Sequence, residues 1–311
     1  MHYHALHVSF SSFLCLIFYC DSVSFFSLSL SLSLSFSLLI ITLKKSVSSK
    51  NPIRHSSSSS FYDSVRFHNE KARDVFFENF SDWAIHLKRW VILSDFPKTP
   101  LLGAFSFRGW GSLCEKPSRC PDVFIQEFYS NMHVIDSSVP RFNTVFHGTR
   151  IVVTSELIFE VLHVPRVDYL DYPSHYHLFS IFRDELATLF CEKVVLWGGT
   201  LNFLTTEFVK GPRTLNMVIT FVLTPWSHYN TIIEPRARFL LSLMEGLSIY
   251  FASHMIESII DWYWDTSTCD KLIFSSAIMC ILTHLHVTIP SSPFFHVIGA
   301  ISKESIQRSV A

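Results

Sequence analysis

Apolar and polar positions fall into a helical rhythm most clearly between Pro225 and Val287. Pro235 stands at a natural first helical position behind Glu234, and Phe239, Leu240, Leu243, Met244 and Leu247 then mark one face. Gly246 allows a bend, after which Ile249, Ala252, Ile256, Ile259, Ile260 and Tyr263 continue at three- and four-residue steps. A polar break from Asp265 to Asp270 precedes Ile278, Ile281, Leu282 and Leu285, which repeat the spacing before Pro290. Helices joined by such short breaks are expected to pack antiparallel. An almost wholly apolar run, Leu215 to Leu223, leads into the block. It is too short to span a bilayer and suits a buried helix or strand.

Upstream the rhythm is weaker. A helix is expected from about Asn69 to Asn79, and Trp90 to Leu93 reads as a short strand or the end of a second helix. Pro97 and Pro100 break the pattern, and Leu101 to Arg119, with its three glycines, reads as irregular. After Pro121, the positions Val123, Phe124, Phe128 and Met132 repeat at helical spacing. Phe146 onward reads as a turn and then a β-branched strand, Ile151 to Thr154. Thr154 or Ser155 then caps a helix carrying Leu157, Ile158, Val161 and Leu162, ending before Pro165. Residues 166–215 are least readable, with a helix expected from Phe179 to Phe190 and a turn from Trp197 to Thr200. The fold class expected is mostly α with a minor β element: a single helical domain over residues 61–311, behind a low-complexity apolar segment, residues 1–60.

That segment has its own pattern. Ser22 to Leu43 carries no charge, alternates Ser with Leu, and is followed by Lys44-Lys45. Length and flank meet the criterion for a transmembrane helix, with the C-terminal bulk cytoplasmic. Strict Ser-Leu alternation is also what a translated CT repeat gives, and it forms no coherent helical face. Val8 to Cys20 is apolar enough for a signal peptide but lacks a basic n-region. Translated leader, membrane segment and signal peptide all stay open, so the expected location is intracellular if the leader is not real and the membrane if residues 22–43 insert. Ser46 to Ser60 is polar and Ser-rich and reads as a linker.

Composition sharpens the picture in two places. The chain of 311 residues is 49% hydrophobic and only 16% charged, and its 30 Phe point to a large aromatic core as well as to the apolar leader. Residues 1–60 hold Lys44, Lys45, Lys50 and Arg54 against Asp21, so the whole-chain net of −1 leaves the remainder acidic. An acidic balance counts against autonomous nucleic-acid binding and favours a protein partner. The seven Cys are irregularly spaced, and reduced, buried thiols are expected.

Chemistry-bearing groups are sparse, and none is assigned as a catalytic, cofactor or metal residue. Cys114 and Cys120 flank Pro117 without a second pair. Glu127 and Asn131 lie one turn apart, as on a solvated or hydrogen-bonded face. His175 and His177 have no identifiable third ligand. Asp261, within SIIDWYW, has no companion acids for a two-metal site and reads as a surface or capping residue. Cys280 and His284 share a helical face while His286 points elsewhere, which reads as a core thiol with surface histidines. No phosphate loop, nucleophile elbow, paired CxxC or HExxH motif occurs.

Three stretches carry a family resemblance. They are FIQEFYSNM (Phe124 to Met132), FHGTRIVVTSELIFEVLHVP (Phe146 to Pro165), and the C-terminal block with Pro225-Trp226, Arg236, Gly246 and Ile249. Across roughly residues 65–290 the chain resembles the putative plant transposon protein domain family. In place of that family's usual Arg-Gly pair it has His147-Gly148. The resemblance implies an origin in a mobile element and carries over no catalytic residue. A non-enzymatic or degenerate protein-contact domain is therefore expected, ahead of a membrane-anchored protein or a nucleic-acid-processing transposition enzyme.

Overall fold

The computed structural model describes residues 63–97, 99–118, 120–167, 181–226, 229–264, 271–289 and 298–308. The expectations for residues 1–60, and for His175 and His177, lie outside the described residues. Helix α1 (Glu70–Val75) begins where Asn69 Oδ1 accepts the Ala72 N–H at 2.8 Å, and it runs on into one π turn, Phe76–Phe80. Strand β1 (Ala84–Ile85) follows. Trp90 to Leu93 forms neither a strand nor a helix end: Val91 makes a single bridge to Ile301, and a 3-10 turn begins at Leu93.

Helix α2 (Pro100–Phe107) stands where an irregular stretch was expected. Pro100 is tolerated in the first turn, and burial of Leu101, Ala104 and Phe105 outweighs the roughly 1 kcal/mol cost of Gly103 in a helix interior. Helix α3 (Asp122–Ser130) matches the predicted spacing, but every residue from Phe124 to Ser130 is buried. Such a helix has no solvent face.

Three antiparallel strands come next, two more than the sequence showed: β2 (His133–Asp136), β3 (Arg141–Phe146) and β4 (Thr149–Val153), in the order β2-β3-β4. His147 and Gly148 both take positive φ, 46° and 77°, the geometry of a tight two-residue hairpin between β3 and β4. The β2 register shifts between His133 and Asp136, where Val134 sits at φ 48°, so a bulge hid this strand from a period-two reading. Helix α4 (Ser155–Leu162) is capped by Thr154, whose hydroxyl accepts the Leu157 N–H at 3.3 Å.

Helix α5 (Arg183–Cys191) and strand β5 (Asn202–Leu204) precede helix α6 (Lys210–Val218), which ends in a π turn, Ile219–Leu223. Strand β6 (Thr231–Ile233) pairs antiparallel with β5 and leads into helix α7 (Glu234–Met244), with Pro235 in its first turn. Helix α8 (Phe251–Trp264), strand β7 (Lys271–Leu272), parallel to β1, helix α9 (Ser275–His284) and helix α10 (Lys303–Arg308) complete the described elements. The fold is mostly α with minor β. No helix of the described residues is long and apolar enough to cross a membrane.

The C-terminal helices exist as predicted, and each also packs on elements from earlier in the chain. Gly246, at φ 75°, ends α7 outright instead of bending it. Helix α7 then packs on α5, α6 and α2, whereas α8 and α9 both lie on α4. The reason is visible in α7, where Arg236, Ala237, Phe239, Leu240, Leu241, Ser242 and Leu243 are all buried, too many for one stripe. Buried arginines tie the pieces together. The Arg108 guanidinium donates to Ala104 O (2.9 Å), Ser242 O (3.3 Å) and Leu247 O (2.6 Å), joining the end of α2 to the end of α7. Arg236 donates to Thr224 O and lies 5.3 Å from the Trp226 ring centroid. The family-like Trp226 and Arg236 thus hold a loop in place.

The core is aromatic. Trp262 meets Trp83 edge-on at 5.1 Å and Tyr129 at 5.0 Å, and Phe80 lies 6.0 Å away. Gly109 closes α2 at φ 64°, and a Cβ there would come within 2.8 Å of Pro165 Cγ. Gly109→Ala is expected to lower the unfolding free energy by about 1–3 kcal/mol in urea titration. An unchanged midpoint would contradict the tight approach of the two segments.

Candidate functional site

Helix α3 has no wet face, so its polar side chains must find partners inside the protein. Gln126 Nε2 donates to Ser81 O (3.0 Å) and Trp83 O (3.1 Å), pinning the end of the π turn. Tyr129 donates its hydroxyl to Ile273 O at 3.1 Å. Asn131, at the helix end, donates to Arg66 O (2.8 Å) and Glu127 O (2.9 Å), while its Oδ1 accepts the His68 backbone N–H (2.9 Å). Glu127 and Asn131 are therefore a hydrogen-bonded pair, as one half of the sequence reading had it, but they are 2% and 0% exposed and not solvated.

On α3, Glu127 brings an acid beside basic side chains. One oxygen, Oε1, takes both Arg66 contacts, Nε at 2.6 Å and Nη2 at 2.5 Å. The other, Oε2, has His147 Nε2 at 3.3 Å. Beyond that contact Oε2 has no partner among the described residues. Burial raises the Glu127 pKa above the ordinary carboxylate value, against the pull of Arg66 and His147. His147 thus faces a buried carboxylate. Sequence reasoning missed both partners, since Arg66 lies far away in the chain and His147 was noticed only as a departure.

Beside this group, His68 and His133 stack with ring centroids 4.4 Å apart. His68 Nδ1 bonds to Asn131 Oδ1 (3.1 Å) and His133 Nδ1 to Asn131 O (2.8 Å). Both acceptors are carbonyl oxygens, so each Nδ1 donates. Burial lowers the His68 pKa. The pair lines a cleft of about 400 Å³ with Tyr263 and Trp264. Two imidazoles fall short of the three protein ligands of a catalytic zinc. No group of three or more His, Cys, Asp or Glu among the described residues is arranged to hold a metal.

The remaining candidates are dispersed. Cys114 and Cys120 are both buried; burial pushes the Cys114 thiol up to about 12 and raises that of Cys120 as well, away from the thiolate a metal needs. Cys280 is half-buried on α9, its pKa also raised by burial, while His284 and His286 are exposed. Asp261 is exposed on α8, as a surface residue should be, and lines a cleft of about 330 Å³ with Arg236 and Trp226. Glu257, one turn earlier, has its pKa raised by burial and by Asp261. A third cavity, of about 270 Å³, gathers His86, Lys88, Ser276 and Cys280. Nothing in the sequence around Lys88 flagged it.

Glu127 gives a pH test. Its folded pKa is raised, so the folded state binds the proton more tightly than the unfolded state does. Its contribution is fully present below the unfolded value of about 4.5 and is lost as pH rises through the folded pKa. Urea titrations from pH 4.5 upward should show the native chain losing stability relative to Glu127→Gln. A gain relative to Glu127→Gln would mean that the Arg66 pair outweighs burial.

These geometries describe a packed interior with side clefts and no assembled reaction centre among the described residues. Residues 106–288, more than half of the chain, match the model of the putative plant retrotransposon-related domain. The match begins later than residue 65, yet all three stretches that carry the resemblance fall inside it. No curated protein and no solved structure matches the chain. With its own residues from α2 to the end of α9 spanning that model, the chain belongs to the plant retrotransposon-related domain family.

Proposed function

We propose that this retrotransposon-derived domain works by protein contact and carries no reaction of its own. One observation supports the reading above others. Between Phe182 and Leu204, large apolar side chains are left in solvent: Phe182 75%, Val194 89%, Leu196 75%, Leu201 78% and Leu204 55% exposed. The segment is held in place. Trp197 is buried against Phe203 (5.3 Å), its backbone N–H donates to Asp184 Oδ1 (2.5 Å), and the Val195 backbone N–H donates to Thr188 Oγ1 (3.4 Å). An anchored segment with outward apolar side chains is what a contact surface needs.

The occupant favoured is a second copy of the chain. Residues 194–204 contain no charged side chain, so two such faces meet without like-charge repulsion, as a two-fold interface requires. Light scattering on the full chain should show a concentration-dependent dimer, and the double variant Leu196→Asp/Leu201→Asp should stay monomeric at concentrations at least tenfold higher. A native chain that is monomeric throughout would sink the self-contact reading. Metal-dependent DNA cleavage lost on Asp261→Ala would replace contact with catalysis.

A membrane-anchored form of the same reading is motivated by the uncharged Ser22 to Leu43 run and its Lys44-Lys45 flank. It predicts that the chain stays in the membrane pellet after carbonate washing. Release into the supernatant excludes it.

A further inference from the structure

Lys88 follows β1 and is half-buried, yet its ammonium makes no hydrogen bond and no ion pair among the described residues. Its nearest titratable neighbours are Cys114, Cys280 and Glu115. Burial keeps both thiols protonated, and Glu115, which lines the same cavity and attracts the ammonium from a distance, forms no ion pair with it among the described residues. An ammonium partly withdrawn from water without an ion pair is unfavourable, since charges removed from solvent are usually paired.

The surroundings of Lys88 are those of a site and not of a packing defect. Lys88 lines the cavity of about 270 Å³ together with Ser275, Ser276 and Ala277, the first turn of α9. That ten-residue helix begins after Phe274, which offers its amino end no side-chain cap. Free N–H groups and the positive end of the helix dipole therefore face the same space as the ammonium. Two further polar groups there are unspent. Ser276 is 6% exposed and its hydroxyl has no hydrogen-bond partner among the described residues. His86 is 5% exposed; its Nε2 donates to Trp226 O at 3.1 Å, and its Nδ1 has no partner. Since burial lowers His86 to about 4, it is neutral and presents Nδ1 as an acceptor. Lys116 adds a second cation to the lining, stacked 5.5 Å over Trp90.

The opposite wall is apolar, with Leu113, Phe221, Val222 and Met255. Cation, uncapped helix end and free hydroxyl suit an oxyanion; the apolar wall suits a hydrocarbon body; the volume suits a small molecule. We propose that this cavity binds a small organic oxyanion, a carboxylate or phosphate monoester with an apolar body, whose charged head is held by Lys88, Ser276 and the amino end of α9. The site is separate from the exposed 182–204 surface and stands whether or not that surface makes the contact proposed for it.

The test uses the full chain with phenyl phosphate, phenylacetate, inorganic phosphate and neutral benzyl alcohol as probes. Phenyl phosphate or phenylacetate should raise the thermal midpoint saturably, inorganic phosphate less so, and benzyl alcohol not at all; which anion is stronger separates the two head groups. Lys88→Met should weaken binding at least tenfold while leaving the ligand-free midpoint the same or higher, since it removes an unpaired half-buried charge. Ser276→Ala should weaken it by several-fold. If Lys88→Met does not fold, the native chain still decides: after reductive ¹³C-methylation, the Lys88 methyl resonance should shift on adding phenyl phosphate. Equal binding of benzyl alcohol, unchanged affinity in Lys88→Met, a still Lys88 resonance, or no binding of either aromatic anion at millimolar concentration would overturn the proposal.

Discussion

A helix without a solvent face must satisfy every polar side chain it carries from within the protein, and α3 imposes that requirement on the whole fold. Its seven consecutive buried residues include Gln126, Glu127 and Tyr129, and each reaches a segment distant in the chain. Gln126 fixes the carbonyls after the π turn, Glu127 fixes Arg66 and the β3–β4 hairpin at His147, and Tyr129 fixes the strand-to-helix corner at Ile273. Thr144 closes the set from the sheet side, donating to Phe128 O at 2.7 Å. Leaving any of these groups unpaired would cost about 1–3 kcal/mol each, a large share of a domain's net stability. The neighbours of α3 are therefore specified by hydrogen bonds as well as by shape.

This constraint also sorts the chemistry. Groups that a reaction site would draw on, an interior Glu with an Arg and a His beside it, are here shared between elements that must be held together. The second polar concentration, around Lys88, differs because its groups are not used up: among the described residues the ammonium and the Ser276 hydroxyl have no hydrogen-bond partner, and the amino end of α9 has no side-chain cap. One cluster is closed and structural, and the other is open toward a cavity.

How much of this was legible depends on how local the signal is. The amphipathic spacing of α7, α8 and α9 and the Thr154 cap of α4 are local, and the sequence shows them. Helix α3 was readable as a helix but not as a buried one, because Glu127 and Asn131 resemble a wet face until Arg66 and His147 are brought to them. Strands β2 and β3 escaped because Val134 interrupts the alternation with a bulge and the hairpin turn is His-Gly instead of the more telling Asn-Gly. Helix α2 escaped because its glycines argue for a loop while its burial, a tertiary property, argues for a helix. The earlier elements that the C-terminal helices pack on were not legible for a related reason: periodicity gives the face of a helix, not its partner. Lys88 carries no local signal at all, since an unpaired cation is defined by what is missing around it. Family membership was legible from three stretches, and the structure gives two of them physical roles, Trp226 under Arg236 and the hairpin at His147.

The central claim is that α3 is the element on which the rest is assembled, and native-state hydrogen exchange addresses it most directly. The amides from Ile125 to Asn131 should exchange only through global unfolding, with protection equal to the highest in the chain and lost together in Glu127→Ala. If those amides exchange ahead of the ones in α6 or α7, the fold is organised around a different element and the account is wrong.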